Sequence, residues 1–298
     1  MTIIFPTHIK SKNDGFEFLV KVHQSCLRCI DNEIEFEFSK NIWFEANLCA
    51  VIGSIIQKAE SQGKQVKITN LNKGAHHIFE NNNFLNLILD RKVNIKVNEP
   101  TAISFQIFNF NEDKKFKDYL DRELLSQRDL PEMSPLLKNK INKSIFEIFN
   151  NAHLHGKCEQ IYTCGQYFPN LKRLDFTIVD LGRTIRRNVN EYFIRQNKKK
   201  LTSCKAIDWA AQYGNTTKTG SIPGGLGLGL IREFLKFNGG RLQIVSAKGF
   251  WEQNRESSIF VQTFTSKFNG TIVNLEFNLS DTNSYVLKEE INPDTIFN

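Results

Sequence analysis

The most constraining stretch of this sequence is a glycine-rich turn, residues 223–230, which runs directly into an apolar segment ending at Asn238. Glycine tolerates positive φ and lets other groups approach the backbone closely. The apolar residues predict a helix that is capped at its C-terminus by Gly239 and Gly240. At the start of such a helix, free N–H groups and the positive end of the dipole favour an anion. The stretch therefore predicts either a phosphate-binding turn or an ordinary glycine-rich loop.

The composition is that of a globular protein. The chain has 298 residues, enough for two domains, and its content of 40% hydrophobic and 24% charged residues argues against disorder. The net charge of +7 is compatible with polyphosphates or nucleic acid and is diagnostic of neither. No segment approaches the roughly 18 apolar residues of a membrane helix. The N-terminus lacks the pattern of a secretory signal, and the six scattered cysteines are typical of free thiols, so we expect a cytoplasmic protein.

The first third of the chain alternates between strand and helix patterns. Strict alternation predicts a strand at 33–38, and helical spacing of apolar residues predicts a helix at 45–62. A short strand at 66–68, a helix at 75–89 and a strand at 101–110 follow.

This order predicts a small α/β domain over residues 1–112. In element order, the domain resembles the sulfate-transporter and anti-sigma-antagonist (STAS-like) domains. Residues 113–135 are charged, contain two prolines and predict a linker with a short helix, which leaves residues 136–298 as a second domain.

Residues 136–155 predict an amphipathic helix that carries a polar pair on the flank of its apolar face. Glu147 and Asn151 are four residues apart and lie one above the other on the helix. The amide oxygen of Asn151 is a suitable ligand for Mg²⁺, and Glu147 could deprotonate a water molecule. The alternative is an ordinary exposed helix face.

Residues 171–179 alternate and predict a strand that ends at Asp180, followed by Gly182. A carboxylate at this position could accept a hydrogen bond from the exocyclic amine of a base, and a glycine leaves room for a flat ring. The same residues are equally typical of a simple turn.

These motifs, taken in order, resemble those of the GHKL superfamily of ATPases, named for gyrase, heat-shock chaperone, histidine kinase and MutL. The resemblance covers about residues 136–280. It implies a Bergerat-type α/β sandwich, with a mixed sheet on one side, helices on the other and the nucleotide between them. We therefore expect an α/β protein with this sandwich at the C-terminus and the smaller α/β domain at the N-terminus.

The resemblance also implies roles for single residues. Glu147 would be the general base, Asn151 the Mg²⁺ ligand, and Asp180 with Gly182 the adenine receptor. Residues 184–223 would form a mobile lid. The remaining nucleotide contacts would come from Thr217, Lys218, Gly225, Leu226, Gly227, Leu228, Gly229 and Thr271. One departure is Thr184, which stands where the family has a second glycine and should stiffen the start of the lid.

The resemblance implies an ATP-binding, Mg²⁺-dependent ATPase whose nucleotide state controls conformation or association. One alternative is a serine/threonine kinase or regulator like the anti-sigma factors, because Asn151-Ala152-x-x-His155 is similar to their pattern. Another is a module that binds nucleotide without catalysis. Expected partners are ATP or ADP and a protein bound through the N-terminal domain or the lid. A homodimer is compatible with this scheme, and a membrane is not expected. Nucleic acid is disfavoured, because the aromatic residues have core spacing and no dense basic and aromatic stripe is present.

Overall fold

Helices and strands alternate along the whole chain, as expected for a mixed α/β protein. The computed structural model describes residues 1–89, 101–127, 129–154, 156, 158–217 and 227–291. The strands of these residues are β1 Thr2–Ile4, β2 His8–Ile9, β3 Glu33–Glu37, β4 Trp43–Phe44, β5 Gln65–Thr69, β6 Ala102–Asn109, β7 Gln160–Phe168, β8 Arg173–Asp180, β9 Arg241–Gln253 and β10 Ile259–Asn278. The α-helices are α1 Asn13–Arg28, α2 Cys49–Glu60, α3 Lys73–Asn81, α4 Phe84–Leu89, α5 Asp113–Tyr119, α6 Pro135–Leu154, α7 Ile185–Arg195, α8 Ser203–Ala210 and α9 Gly227–Asn238.

The largest sheet has five strands in the order β6-β7-β8-β10-β9. All four of its recorded strand pairings are antiparallel, whereas the resemblance implies a mixed sheet. Two of these pairings, β7–β8 and β9–β10, join strands with short connections, which allow only antiparallel neighbours, whereas β6–β7 and β8–β10 join strands that are far apart in the sequence. A separate sheet near the N-terminus consists of the parallel strands β1-β3-β5.

Strand β6 differs from its expected place. The alternation at 101–110 is correctly a strand, but this strand pairs with β7 at the edge of the five-stranded sheet. It therefore lies in the sheet of the C-terminal half, although the sequence analysis grouped it with residues 1–112. Periodicity predicts that a strand exists and does not predict its partner.

The segment expected to be a linker packs against the C-terminal core. Helix α5 continues into a π-helical turn, Leu120–Leu124, and Phe116 and Leu120 are fully buried. Both residues belong to the hydrophobic cluster that contains Ile145 and Phe149 of α6. Residues 113–125 are therefore part of a packed layer.

The five-stranded sheet is covered on both faces. On one face, Phe176 and Ile178 of β8 pack in the cluster formed with α6 and α9. On the other face, Thr177 meets the N-terminal segment, where Nδ2 of Asn47 lies 3.0 Å from its hydroxyl. The chain therefore forms three layers, with the sheet in the middle.

No helix in the described ranges is both long and apolar enough to cross a lipid bilayer.

Candidate functional site

Helices α6 and α9 meet at the predicted general base. The backbone N–H of Gly227, the first residue of α9, donates a hydrogen bond of 2.7 Å to Oε2 of Glu147. A Cβ at position 227 would lie 2.5 Å from that oxygen, so glycine is required for this approach. The carboxylate of α6 and the N-terminus of the glycine-rich helix thus face the same site.

Asp180 lies at the end of β8, directly opposite Thr271 of β10 in the antiparallel ladder. Its side chain is buried, and Oδ1 has no hydrogen-bond partner among the described residues. Burial raises the pKa of this carboxyl to about 8, against the opposing effect of Thr271 and the N–H of Gly182. An unpartnered buried acceptor is costly, so this oxygen is suited to a ligand that donates a hydrogen bond.

Packing requires a glycine at position 182, for a reason that the sequence did not reveal. The N–H of Arg183 donates to the carbonyl oxygen of Gly156 at 2.6 Å, and a Cβ on residue 182 would lie 2.1 Å from that oxygen. Gly156 is similarly close to Asp180, because its Cβ would lie 3.1 Å from Oδ1. The two glycines allow two loops to cross beside the buried acid.

A cavity connects these groups. Its lining includes six of the residues predicted from the sequence, namely Glu147, Asn151, Asp180, Thr217, Leu228 and Thr271. Gly227 and Gly229 do not line the cavity: Gly227 contacts the lining residue Glu147, and Gly229 packs against Tyr213, with a Cβ position 2.8 Å from the Cα of that residue. Lys218, Gly225 and Leu226 lie outside the described residues.

A helical cover, formed by α7, α8 and their connecting turn, closes one side of the cavity. Its inner residues Ile185, Asn188, Val189, Trp209 and Ala210 line the cavity; all five lie in the segment 184–223 predicted to be a lid, but none was predicted individually. The cover has a small core of its own, in which the ring of Trp209 meets Phe193 edge-on at 5.3 Å. The helical spacing of Ile185, Val189 and Phe193 would have predicted α7, but it does not predict which face of the helix lines the cavity.

Thr184 caps this cover. Its side chain accepts a hydrogen bond from the N–H of Arg187, and α7 begins at the next residue. A glycine at this position would have no side-chain oxygen to accept that hydrogen bond, so Thr184 is suited to start α7.

Asn151, the residue predicted to bind magnesium, lines the cavity together with other amide and carboxylate side chains, namely Glu147, Asp180, Asn188 and Asn215. No group of three or more His, Cys, Asp or Glu side chains in the described ranges could hold a metal ion. Asn151 offers one amide oxygen, which suits Mg²⁺ because this ion keeps waters and shares phosphate oxygens.

Comparison of the sequence with models of known protein families and with curated protein sequences gives no match.

Proposed function

We propose that this protein binds an adenine nucleotide in the cavity and hydrolyses ATP with the help of Mg²⁺. The observation that supports this proposal is that residues far apart in the sequence line the same cavity. Glu147 and Asn151 of α6, Asp180 of β8 and Thr271 of β10 line one cavity, although up to 124 residues separate them in the sequence.

The inner end of the cavity suits a purine base. Oδ1 of Asp180 is a buried acceptor without a partner, and the exocyclic amine of adenine is a donor of the right kind. Ile148, Ile178 and Val273 contribute apolar wall. Apolar walls with one convergent polar group are typical of sites for small molecules.

The other end, at α6 and α9, suits phosphates. The N-terminus of α9 offers its positive dipole end, although the N–H of Gly227 is already bonded to Glu147, and Asn151 lies one turn from Glu147. Bound Mg²⁺ would supply charge neutralisation for the phosphates. The role proposed for Glu147 is to accept a proton from the attacking water, while Asn151 orients the ion.

The first test separates catalysis from structure at Glu147. Glu147→Gln keeps an oxygen that can accept from the N–H of Gly227, so α9 should stay in place. We expect ATP turnover to fall about 10²–10⁴-fold, with little change in ATP affinity, because only the proton acceptor is lost. Turnover is measured as phosphate release and affinity by titration calorimetry.

The matched control is Glu233→Gln on the exposed side of α9, which should keep wild-type turnover. Wild-type turnover in Glu147→Gln would assign Glu147 to helix packing alone. The absence of any affinity for ATP or ADP in the wild-type protein would end the proposal. Transfer of labelled phosphate to a protein in place of its release would favour the kinase alternative.

A further inference from the structure

The net positive charge of the chain is concentrated in residues 183–205, which span α7, the turn after it and the start of α8. Residues 183–205 contain eight Lys and Arg residues and one acidic residue, Glu191, which equals the whole formal net charge of +7. The rest of the chain contains 31 basic and 31 acidic residues and is balanced. The charge is therefore a local property of this segment.

Seven of these basic side chains are exposed, and we call them the basic face: Arg186, Arg187, Arg195, Lys198, Lys199, Lys200 and Lys205. Glu191 pairs with Arg187 at 3.3 Å and also with the less exposed Arg183. The other six members of the basic face form no ion pair with any described residue. Asp208 of α8 is turned inward and accepts from Nε1 of Trp251 at 2.9 Å.

The lysine-rich turn between α7 and α8 is held in a defined place. Asn190, which is only 9% exposed, clamps Leu201 with two hydrogen bonds, of 3.0 Å to its carbonyl oxygen and 2.7 Å from its N–H. The Nε of Arg186 also donates to that carbonyl, at 3.3 Å. These bonds fold the turn back along α7, so that Lys198–Lys200 stand beside the exposed arginines of the helix.

We propose that the basic face binds the phosphate backbone of duplex nucleic acid. Four of its seven members are lysines, which are depleted at protein interfaces and common at phosphates. No aromatic side chain of the cover is exposed, and Ile194 is its one exposed large hydrophobic residue, at 50%. Stacking on single strands and insertion into a lipid surface both need apolar or aromatic groups that this face does not offer.

Nucleic acid was disfavoured as a partner from the sequence because no dense basic and aromatic stripe is present. Contacts to phosphates alone need no aromatic side chain, and they account for most non-specific affinity for DNA. The cavity is lined by the opposite side of the same helices, so this inference stands without the proposed ATPase function and goes beyond it.

The test is fluorescence anisotropy with a labelled duplex DNA of mixed sequence, of roughly 20 base pairs, between about 50 and 200 mM salt without nucleotide. The wild-type protein should bind, and log K should fall linearly with log salt. Replacing Lys198, Lys199 and Lys200 together by Gln should lower affinity at least about 10-fold and reduce the slope by about 2–3, because three phosphate contacts are lost.

Two variants show whether the organised surface matters more than total charge. Replacing the exposed Lys40, Lys114 and Lys138 by Gln changes the charge equally at distant places and should leave affinity within about twofold. Asn190→Ala changes no charge, but it frees the turn and should lower affinity about 3–10-fold while the melting curve shows that the protein is folded.

Several results would overturn the proposal. One is that the wild-type protein does not bind the duplex at about 50 mM salt. Another is that the distant triple variant loses as much affinity as the Lys198–Lys200 variant, and a third is that Asn190→Ala binds as tightly as wild type. Tighter binding of a poly-glutamate peptide or of anionic vesicles than of the duplex would also overturn it.

Discussion

The buried Asp175 of β8 pairs with Arg173 at 3.2 Å, whereas Asp180 combines burial with an unpartnered oxygen beside the cavity. It is buried at the end of a strand, and one of its oxygens has no hydrogen-bond partner in the described part of the chain. Its pKa, raised to about 8 by burial, means that the carboxyl is largely protonated at neutral pH. A protonated carboxyl still accepts a hydrogen bond through its carbonyl oxygen, so the proposed contact with an amine is retained.

The raised pKa makes a prediction about stability. Between the unfolded pKa of about 4 and the folded pKa of about 8, the folded protein binds one proton more than the unfolded chain at this residue. Its contribution to the free energy of unfolding therefore falls as pH rises through that window. Asp180→Asn cannot ionise, so its free energy of unfolding relative to wild type should rise by about 3 kcal/mol between pH 5 and pH 8. Denaturant unfolding at both pH values measures this.

The exposed Asp118→Asn is the control for the change in charge, and it should match wild type at both pH values. A deficit in Asp180→Asn that is the same at pH 5 and pH 8 would contradict the assigned pKa. Loss of the acceptor itself is tested by Asp180→Ala, which should lose affinity for ATP, whereas Asp180→Asn keeps a carbonyl oxygen and should largely retain it.

At the scale of elements, the start of α7 is tied to the sheet beside the candidate adenine site. The N–H of Ile185 donates to Oγ of Ser246 at 3.0 Å, and that hydroxyl donates to the carbonyl oxygen of Gly270 at 2.8 Å. Gly270 precedes Thr271, which faces Asp180 across the ladder. A displacement of the cover would therefore reach the strand that carries Thr271 through two hydrogen bonds.

The hydrogen bond accepted by Thr184 should stabilise the first turn of α7, where the cover begins. Thr184→Ala removes the side-chain acceptor for the N–H of Arg187 and should cost about 1 kcal/mol in the first turn of α7. Amide hydrogen exchange in that turn should become about 5-fold faster if it opens locally, with the sheet unchanged.

The chain offers a matched control in Thr202, the corresponding cap of α8, which accepts from the N–H of Lys205. Thr202→Ala should speed exchange at the start of α8 and leave α7 unchanged. Faster exchange throughout the sheet in Thr184→Ala would mean that the cover does not open separately from the rest of the protein.

At the scale of the whole molecule, buried polar groups join the N-terminal layer to the sheet. Arg173 of β8 donates to Oε1 of Glu45 at 2.5 Å, and the other carboxylate oxygen of Glu45 accepts from the N–H of Ser11 at 2.6 Å. Nδ2 of Asn47 bonds both Thr177 and Asn274 of the sheet. Such contacts, together with the shared hydrophobic cluster, favour folding of the layers as one unit.

We therefore predict one cooperative unfolding transition. Glu45→Ala leaves Arg173 short of a buried partner and should destabilise the whole protein by about 3 kcal/mol or more. Trp43 in the N-terminal layer and the fully buried Trp251 in the sheet should report the same melting temperature, measured in variants that retain one tryptophan each.

Glu33→Ala is the control for this variant. It breaks an exposed pair with Lys67 and should change the free energy of unfolding by no more than about 0.5 kcal/mol. Two separate transitions, or a loss confined to the signal of Trp43, would show that the N-terminal layer unfolds independently.

Much of the local structure was accessible from the sequence because local periodicity determines it. The strands near residues 33–38 and 171–180 and the long helix α6 were predicted from alternation and helical spacing, and they occur where expected. The order of motifs also singled out Glu147 and Asp180, which the structure brings to one cavity. Helix α1, whose Phe16, Leu19 and Val20 have helical spacing, went unpredicted although its signal was present.

Only the tertiary structure decided which surfaces meet. The pairing of β6 with β7 and the contact of Glu45 with Arg173 each join segments that are more than 50 residues apart, and no local pattern encodes such partners. Burial decided the protonation of Asp180, since the same side chain in water would be ionised at neutral pH. The sequence by itself determined the helices, the strands and the types of side chain at the site. Packing decided their neighbours and hence their chemistry, because dielectric environment and hydrogen bonding belong to the assembled protein.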